Sequence, residues 1–362
     1  MKKLIKFYNT LLILAVTIFF QSCTKTVDLI AHNGNIYTVD ENFSKASAFA
    51  VENGKFIAVG SEDILSKYKS EKIINLNGST VLPGLIDAHC HFYGLGLNQS
   101  VIDLTGTKSF SEIIDKISND DKKSVIRGRG WDQNDWTIKK FPNKTKLDLL
   151  YPETPIILER IDGHAYLVNQ KALEVAKIDV NTKSKNGTVV IENGKLTGVL
   201  IDGPMSLIDK AFGNISNQEK IDALLSAQDI CFKHGLTTVD DAGLSKEVIL
   251  LIDSLQKKNK LKMRVYAMIS NSTEDVNYFL DKGPIKTNLL NVRSVKVYGD
   301  GALGSRGATL KEPYSDDKHN YGKLVTDIQS VKELAKRLSD ENFQMNTHAI
   351  GDSTINILLN EY

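Results

Sequence analysis

Cysteine is scarce in this chain. Cys23, Cys90 and Cys231 are all it has, and none has a C-x-x-C partner. Cys90 and Cys231 alone cannot build a disulfide framework. Charge of one sign is missing too. The net charge is +1 and no Lys/Arg-rich block occurs, so nothing marks a surface for a nucleic-acid backbone. There is no internal repeat and no low-complexity tract. Long apolar runs are also absent. The stretch "LLILAVTIFF", residues 11–20, is too short to span a bilayer as a helix.

That short run has its own meaning. It follows the basic "MKKLIKFYNT" and precedes "QSC", the order of a secretory signal. Ser22 before Cys23 resembles a bacterial lipobox, which makes residues 1–22 a lipoprotein-type signal peptide and Cys23 the lipidated first residue of the mature chain. The domain behind such an anchor is soluble. The expected location is the bacterial cell envelope, at the outer membrane or the periplasmic face. An ordinary signal peptide with an incidental cysteine is the competing reading, and the bulky Phe20 three residues before Cys23 speaks for it.

What the chain does have is the composition of a globular protein, with 41% hydrophobic and 25% charged residues. Its 362 residues suit one large domain plus an appendage. Residues 23–81 read as a small β-rich domain, with turn signals "HNGN" and "ENGK" between β-favouring runs. From Leu82 apolar strands alternate with helical stretches. The strand candidates are "LPGLIDAH", "GLTTVDDAG", "KMRVYAMI", "SVKVYGDG" and "FQMNTHAIGD". Helical spacing marks "NQEKIDALLSAQDICFKH", with Asn217 as its N-cap candidate, and also "SKEVILLIDSLQKKNK" and "DIQSVKELAKRLSDEN". Strand–helix alternation implies a parallel sheet, and a (β/α)8 barrel is its leading closed form. About five units of the eight are countable over residues 82–362. Residues about 104–215 break the rhythm and read as an insertion after the first barrel strand, over the mouth where substrates bind.

Two histidines one residue apart, His89 and His91, end the first strand candidate. Side chains two apart on a strand share a face, so the pair is core, surface or metal ligand. Cys90 points the other way and reads as a small buried hydrophobe. Lys296 and His348 occupy the equivalent ends of later strands, where barrel active sites lie. Imidazole suits zinc and its neighbours. A lysine beside a cation must lose its charge, and carbon dioxide can convert a neutral amine to an anionic carbamate.

The stretches "NGNIYTVD", "LPGLIDAHCHFYGLG", "GRGWDQNDW", "PIILERIDGHAYLVN", "GLTTVDDAG", "VKVYGDGALGSRGATLKEPYSDD" and "THAIGD" together resemble the amidohydrolase superfamily, in the subgroup typified by N-substituted formamide deformylase. The resemblance implies an α/β fold, a metal-dependent hydrolase on a TIM barrel beside a small β-sandwich part. It implies one or two divalent cations, zinc first, held by His89, His91, Lys296 and His348, with a carbon dioxide-derived carbamate on Lys296. It implies hydrolysis of carbon–nitrogen bonds other than peptide bonds in a small amide or N-formyl substrate. The family's sixth-strand histidine and eighth-strand proton-shuttling aspartate have no counterpart before Tyr362. The chain is therefore expected to be a truncated form with little activity. Trp131, Asp132, His164, Ser305 and Arg306 are candidates for the substrate pocket. Asp352 is a candidate to orient His348, and Arg160 with Asp162 reads equally well as a structural ion pair. The rival reading is an inactive pseudoenzyme or a lipid-anchored binding module. Self-association is left open.

Overall fold

The computed structural model describes residues 24–118, 124–213 and 215–361. The stretch read as a signal segment, and Cys23, lie outside them. The chain divides into two compact units, Met1–Gly84 and Leu85–Tyr362.

The described part of the first unit is β-rich, as its alternating runs require. A four-stranded sheet runs in the order Lys55–Gly60, Ala48–Glu52, Leu29–His32, Ile73–Asn75. A three-stranded sheet joins Lys45–Ala46, Asn35–Tyr37 and Thr80–Val81. The two turn signals do different jobs. Asn53 and Gly54 both take positive φ, 51° and 71°, which closes a tight hairpin between antiparallel strands. The "HNGN" turn instead carries the chain from one sheet to the other. Ile30, Ala48, Ala50 and Ile64 fill the small core.

In the second unit the expected parallel sheet is present. Its strands are β1 (Leu85–Cys90), β2 (Leu236–Leu244), β3 (Arg264–Ser270), β4 (Leu290–Tyr298) and β5 (Gln344–His348), and each pairs in parallel with the next. These five parallel strands, with the short antiparallel Ile285–Lys286 beside β4, make an open half-barrel rather than a closed one. Helices Asn217–Lys233, Lys246–Lys257, Thr273–Lys282 and Ile328–Asp340 alternate with the strands. Val265, Ala267 and Ile269 of β3 and Val295 and Val297 of β4 enter one apolar cluster with Leu224, Ile252, Phe279 and Leu334 of those helices. The alternate residues, Ser294, Lys296 and Tyr298, point to the opposite face. Cys90 is half-buried against the same cluster, and burial pushes its thiol up to about 12.

The helix after the insertion starts one residue earlier than its asparagine implies. Ser216, not Asn217, is the N-cap. Its hydroxyl accepts from the Glu219 amide while the Glu219 carboxylate accepts from the Ser216 amide. This reciprocal box satisfies two amides that the helix leaves unpaired.

The insertion has a sheet of its own. Six strands run in the order Ile102–Asp103, Ile126–Trp131, Ile156–Arg160, Ala165–Val168, Lys195–Asp202, Gly187–Glu192. The hairpin read in "GTVVIENGKLTGVLID" is its last antiparallel pair. Among the described residues, no helix is long and apolar enough to cross a membrane.

Candidate metal centre

The sheet places the strand ends together. Lys296 sits near the C-terminal end of β4, 3% exposed, and its Nζ is 3.3 Å from His89 Nε2 at the end of β1. It also faces the Tyr298 ring, 5.2 Å from its centroid. Burial pushes the Lys296 pKa below its ordinary value. His91 follows β1 directly, its ring centroid 6.3 Å from that of His89. Desolvation of its packed side, then the charges of Lys296 and His89, lower its pKa. His348 ends β5, in register beside Tyr298. Burial is the main cause of its lowered pKa as well, and the charges of His164 and Lys296 act the same way. The imidazoles of His91 and His348 are thus biased toward the neutral form that binds metals. Lys296 is felt by both, so it stands electrostatically between them.

This donor set fits a divalent cation. The amine is buried and carries a depressed pKa, the state in which it reacts with carbon dioxide. Among the described residues no three His, Cys, Asp or Glu side chains converge on one metal position.

His164 is the substrate-pocket candidate that reaches the centre. Its ring lies 5.2 Å from that of His348. Its Nδ1 is 2.6 Å from Asp202 Oδ1. Burial alone would lower the His164 pKa, but the Asp202 hydrogen bond and charge outweigh it and raise the value. Asp202 was not apparent from sequence. It ends the insertion strand Lys195–Asp202 with φ of +53°, and its carboxylate is packed against Gly301 and Gly307. A Cβ on either glycine would lie 2.4 or 2.5 Å from Asp202 Oδ2. Only glycine leaves room for that approach.

The other candidates are held elsewhere. Trp131 is fully buried, its indole N–H donating to the Leu158 carbonyl at 2.9 Å, among Trp136 and Phe141. Asp132 pairs with the buried Arg160, which also binds Asp162 at 2.5 Å and Gln133 at 2.8 Å. Arg160 and Asp162 therefore do form the structural pair. Ser305 is buried and donates to the Ala302 carbonyl. Arg306 pairs with Asp316 and lies over the Phe141 ring. Asp352 accepts from the Lys311 amide at 3.0 Å rather than from His348.

Asp300 braces the loops beside His348 instead. It is fully buried just past β4 and accepts from the amides of Thr309, Ile350 and Gly351 at 2.8–3.0 Å. These bonds tie the loop after β4 to the loop after His348. Asp241 is a second buried acid. It accepts from the Tyr93 amide at 2.9 Å, and burial raises its pKa to about 7.

Comparison with known proteins gives the family. The profile described as the amidohydrolase family matches residues 72–362. YtcJ of Bacillus subtilis is 33% identical over 347 residues, covering 91% of this chain and 65% of that protein. The N-substituted formamide deformylase of Arthrobacter pascens is 23% identical, covering 94% and 66%. A metal-dependent hydrolase of Pyrococcus horikoshii superimposes with a TM-score of 0.68 at 26% identity, covering 92% of this chain and 67% of that one. The chain spans about two thirds or less of the length of these curated relatives. With its parallel sheet and its strand-end histidines and lysine, the chain belongs to the amidohydrolase family, in the branch designated family 3.

Proposed function

We propose that the protein hydrolyses a carbon–nitrogen bond other than a peptide bond, in a small substrate of the amide or N-formyl type. The observation that carries this reading is Lys296, a buried lysine 3.3 Å from a histidine nitrogen at the mouth of a parallel sheet. Its amine lies against an imidazole and an aromatic face, and burial favours its neutral form. His89, His91, Lys296 as its carbamate and His348 would hold one or two divalent cations, zinc first. Such a cation lowers the pKa of water and polarises a carbonyl. The protein's own part is orientation. His164, fixed through Nδ1 by Asp202, presents its other nitrogen beside His348, where it can hydrogen-bond the substrate. The Arg160 and Arg306 ion pairs hold the loops around it.

A protein of this reading is expected to bind zinc and to release amine from its substrate. Zinc uptake by calorimetry, with amine release from a panel of N-substituted formamides, tests both parts. Uptake abolished by Lys296→Met supports the site. Uptake that Lys296→Met leaves unchanged removes it. Release of amine supports the hydrolysis, while metal binding with no release of any amine favours a binding module. We also propose, from the sequence "QSC" alone, that the protein is anchored at the cell envelope through Cys23. Labelled palmitate should enter the intact protein and be absent from Cys23→Ser.

A further inference from the structure

A cleft of about 720 Å3 opens on the insertion and shares no residue with the strand-end histidines or Lys296. Its apolar lining comes from Phe110, Trp136, Ile138, Phe141 and Leu149. Ile138 and Leu149 are 72% and 80% exposed, an unusual cost for large apolar side chains next to one another. Lys108, Lys140 and Lys146 also line it, and no Asp or Glu does. Lys108 has Asp135 at 3.9 Å. Among the described residues Lys140 and Lys146 have no acid partner within ion-pair distance, whereas the neighbouring Lys144 is paired with Asp148 at 2.6 Å.

We propose that this cleft binds an amphipathic carboxylate, with an aliphatic chain on the aromatic floor and the carboxylate among Lys140, Lys146 and Lys108. The volume is in the usual range for small-molecule sites, roughly 300–1,000 Å3. The floor is rigid. Trp136 is nearly buried, donates its indole N–H to the Thr107 carbonyl, and stacks near Trp131 and Phe110. Its polar atom is already satisfied, so the ring face offers only apolar contact. The lining thus offers both the cations and the apolar surface that a detergent-like anion needs. The site does not depend on the proposed hydrolysis.

Trp131 and Trp136 are the chain's two tryptophans, so intrinsic fluorescence reports this cleft directly. The experiment titrates the 362-residue chain with monomeric decanoate, decanol, butyrate and anionic phospholipid vesicles. Saturable binding of decanoate is expected, at least about tenfold tighter than decanol or butyrate. The double variant K140E/K146E should weaken decanoate at least about tenfold and leave decanol unchanged. Leu149→Asp should weaken both. All these side chains are exposed, and circular dichroism checks that the variants fold. Equal affinity for decanoate and decanol would overturn the charged half of the site. No saturable binding would overturn the whole. A response to vesicles alone would make the patch a membrane-docking surface instead, also against the proposal.

Discussion

The two large sheets of the second unit use their faces differently. In the insertion sheet both faces are apolar. Ile156, Leu158, Leu167 and Val199 fill one core, while Ile157, Val168 and Leu200, the alternate residues, fill another. In the half-barrel only the helix-covered face is apolar. Its other face carries His89, Asp240, Ser294, Lys296, Asn346 and His348 along alternating positions. The first sheet is a finished structural object with side chains to spare for bracing. The second carries a buried lysine on the face where chemistry would occur, while the buried Asp241 lies beside Cys90 on the helix-covered side. Stability and reactivity are thus assigned to different sheets.

The contrast can be broken most sharply at Trp131. Trp131→Ala removes the largest fully buried side chain of the insertion and should cost about 3–5 kcal/mol. Hydrogen exchange should show protection lost across residues 124–213 and largely kept in β2–β4. Equal loss in both sheets would mean that they unfold as one unit. Lys296→Met makes the opposite demand. Zinc affinity should fall by about a hundredfold or more, while thermal stability stays within about 1 kcal/mol or improves, because a buried amine is replaced by an apolar chain of similar length. A large loss of stability would give Lys296 a structural role.

Asp241 sharpens the comparison through pH. Its folded pKa of about 7 lies above that of an unfolded aspartate, so the folded state holds more protons between those values. The associated stability is full below the unfolded pKa, near 4, and is lost as pH rises through about 7. Asp241→Asn keeps an acceptor for the Tyr93 amide and cannot ionise. It should stabilise the protein by roughly 1–2 kcal/mol at pH 8 and flatten the pH dependence of melting. A stability that falls equally with pH in the variant would trace the effect to another group. The smallest effect concerns neither sheet face. Ser216→Ala removes the cap of Asn217–Lys233 and should cost about 1 kcal/mol by urea denaturation.

Much of the half-barrel was legible because its signals are local. Each strand is a short apolar run, and His89, His91, Lys296 and His348 stand at run ends. The cap of Asn217–Lys233 was misplaced by one residue, on Asn217, although "SNQE" has the box spacing that marks Ser216. The insertion sheet was not legible. Its second strand, "IRGRGW", carries two glycines, and its first is only two residues long, so periodicity has little to count. Asp202 escaped because its partner His164 is 38 residues away and because the glycines that admit it lie about a hundred residues further on. Asp300 escaped for a different reason. Its partners are backbone amides, which every residue but proline possesses, so no spacing pattern marks them.

That last acid has a kinetic consequence. The amides of Thr309, Ile350 and Gly351 share one carboxylate, so none can open to solvent for long without disturbing the other two. The loops after β4 and β5 therefore share one clock. The loops at the mouth of the sheet thus hang on a single buried carboxylate, whose charge also acts on His164 and His348.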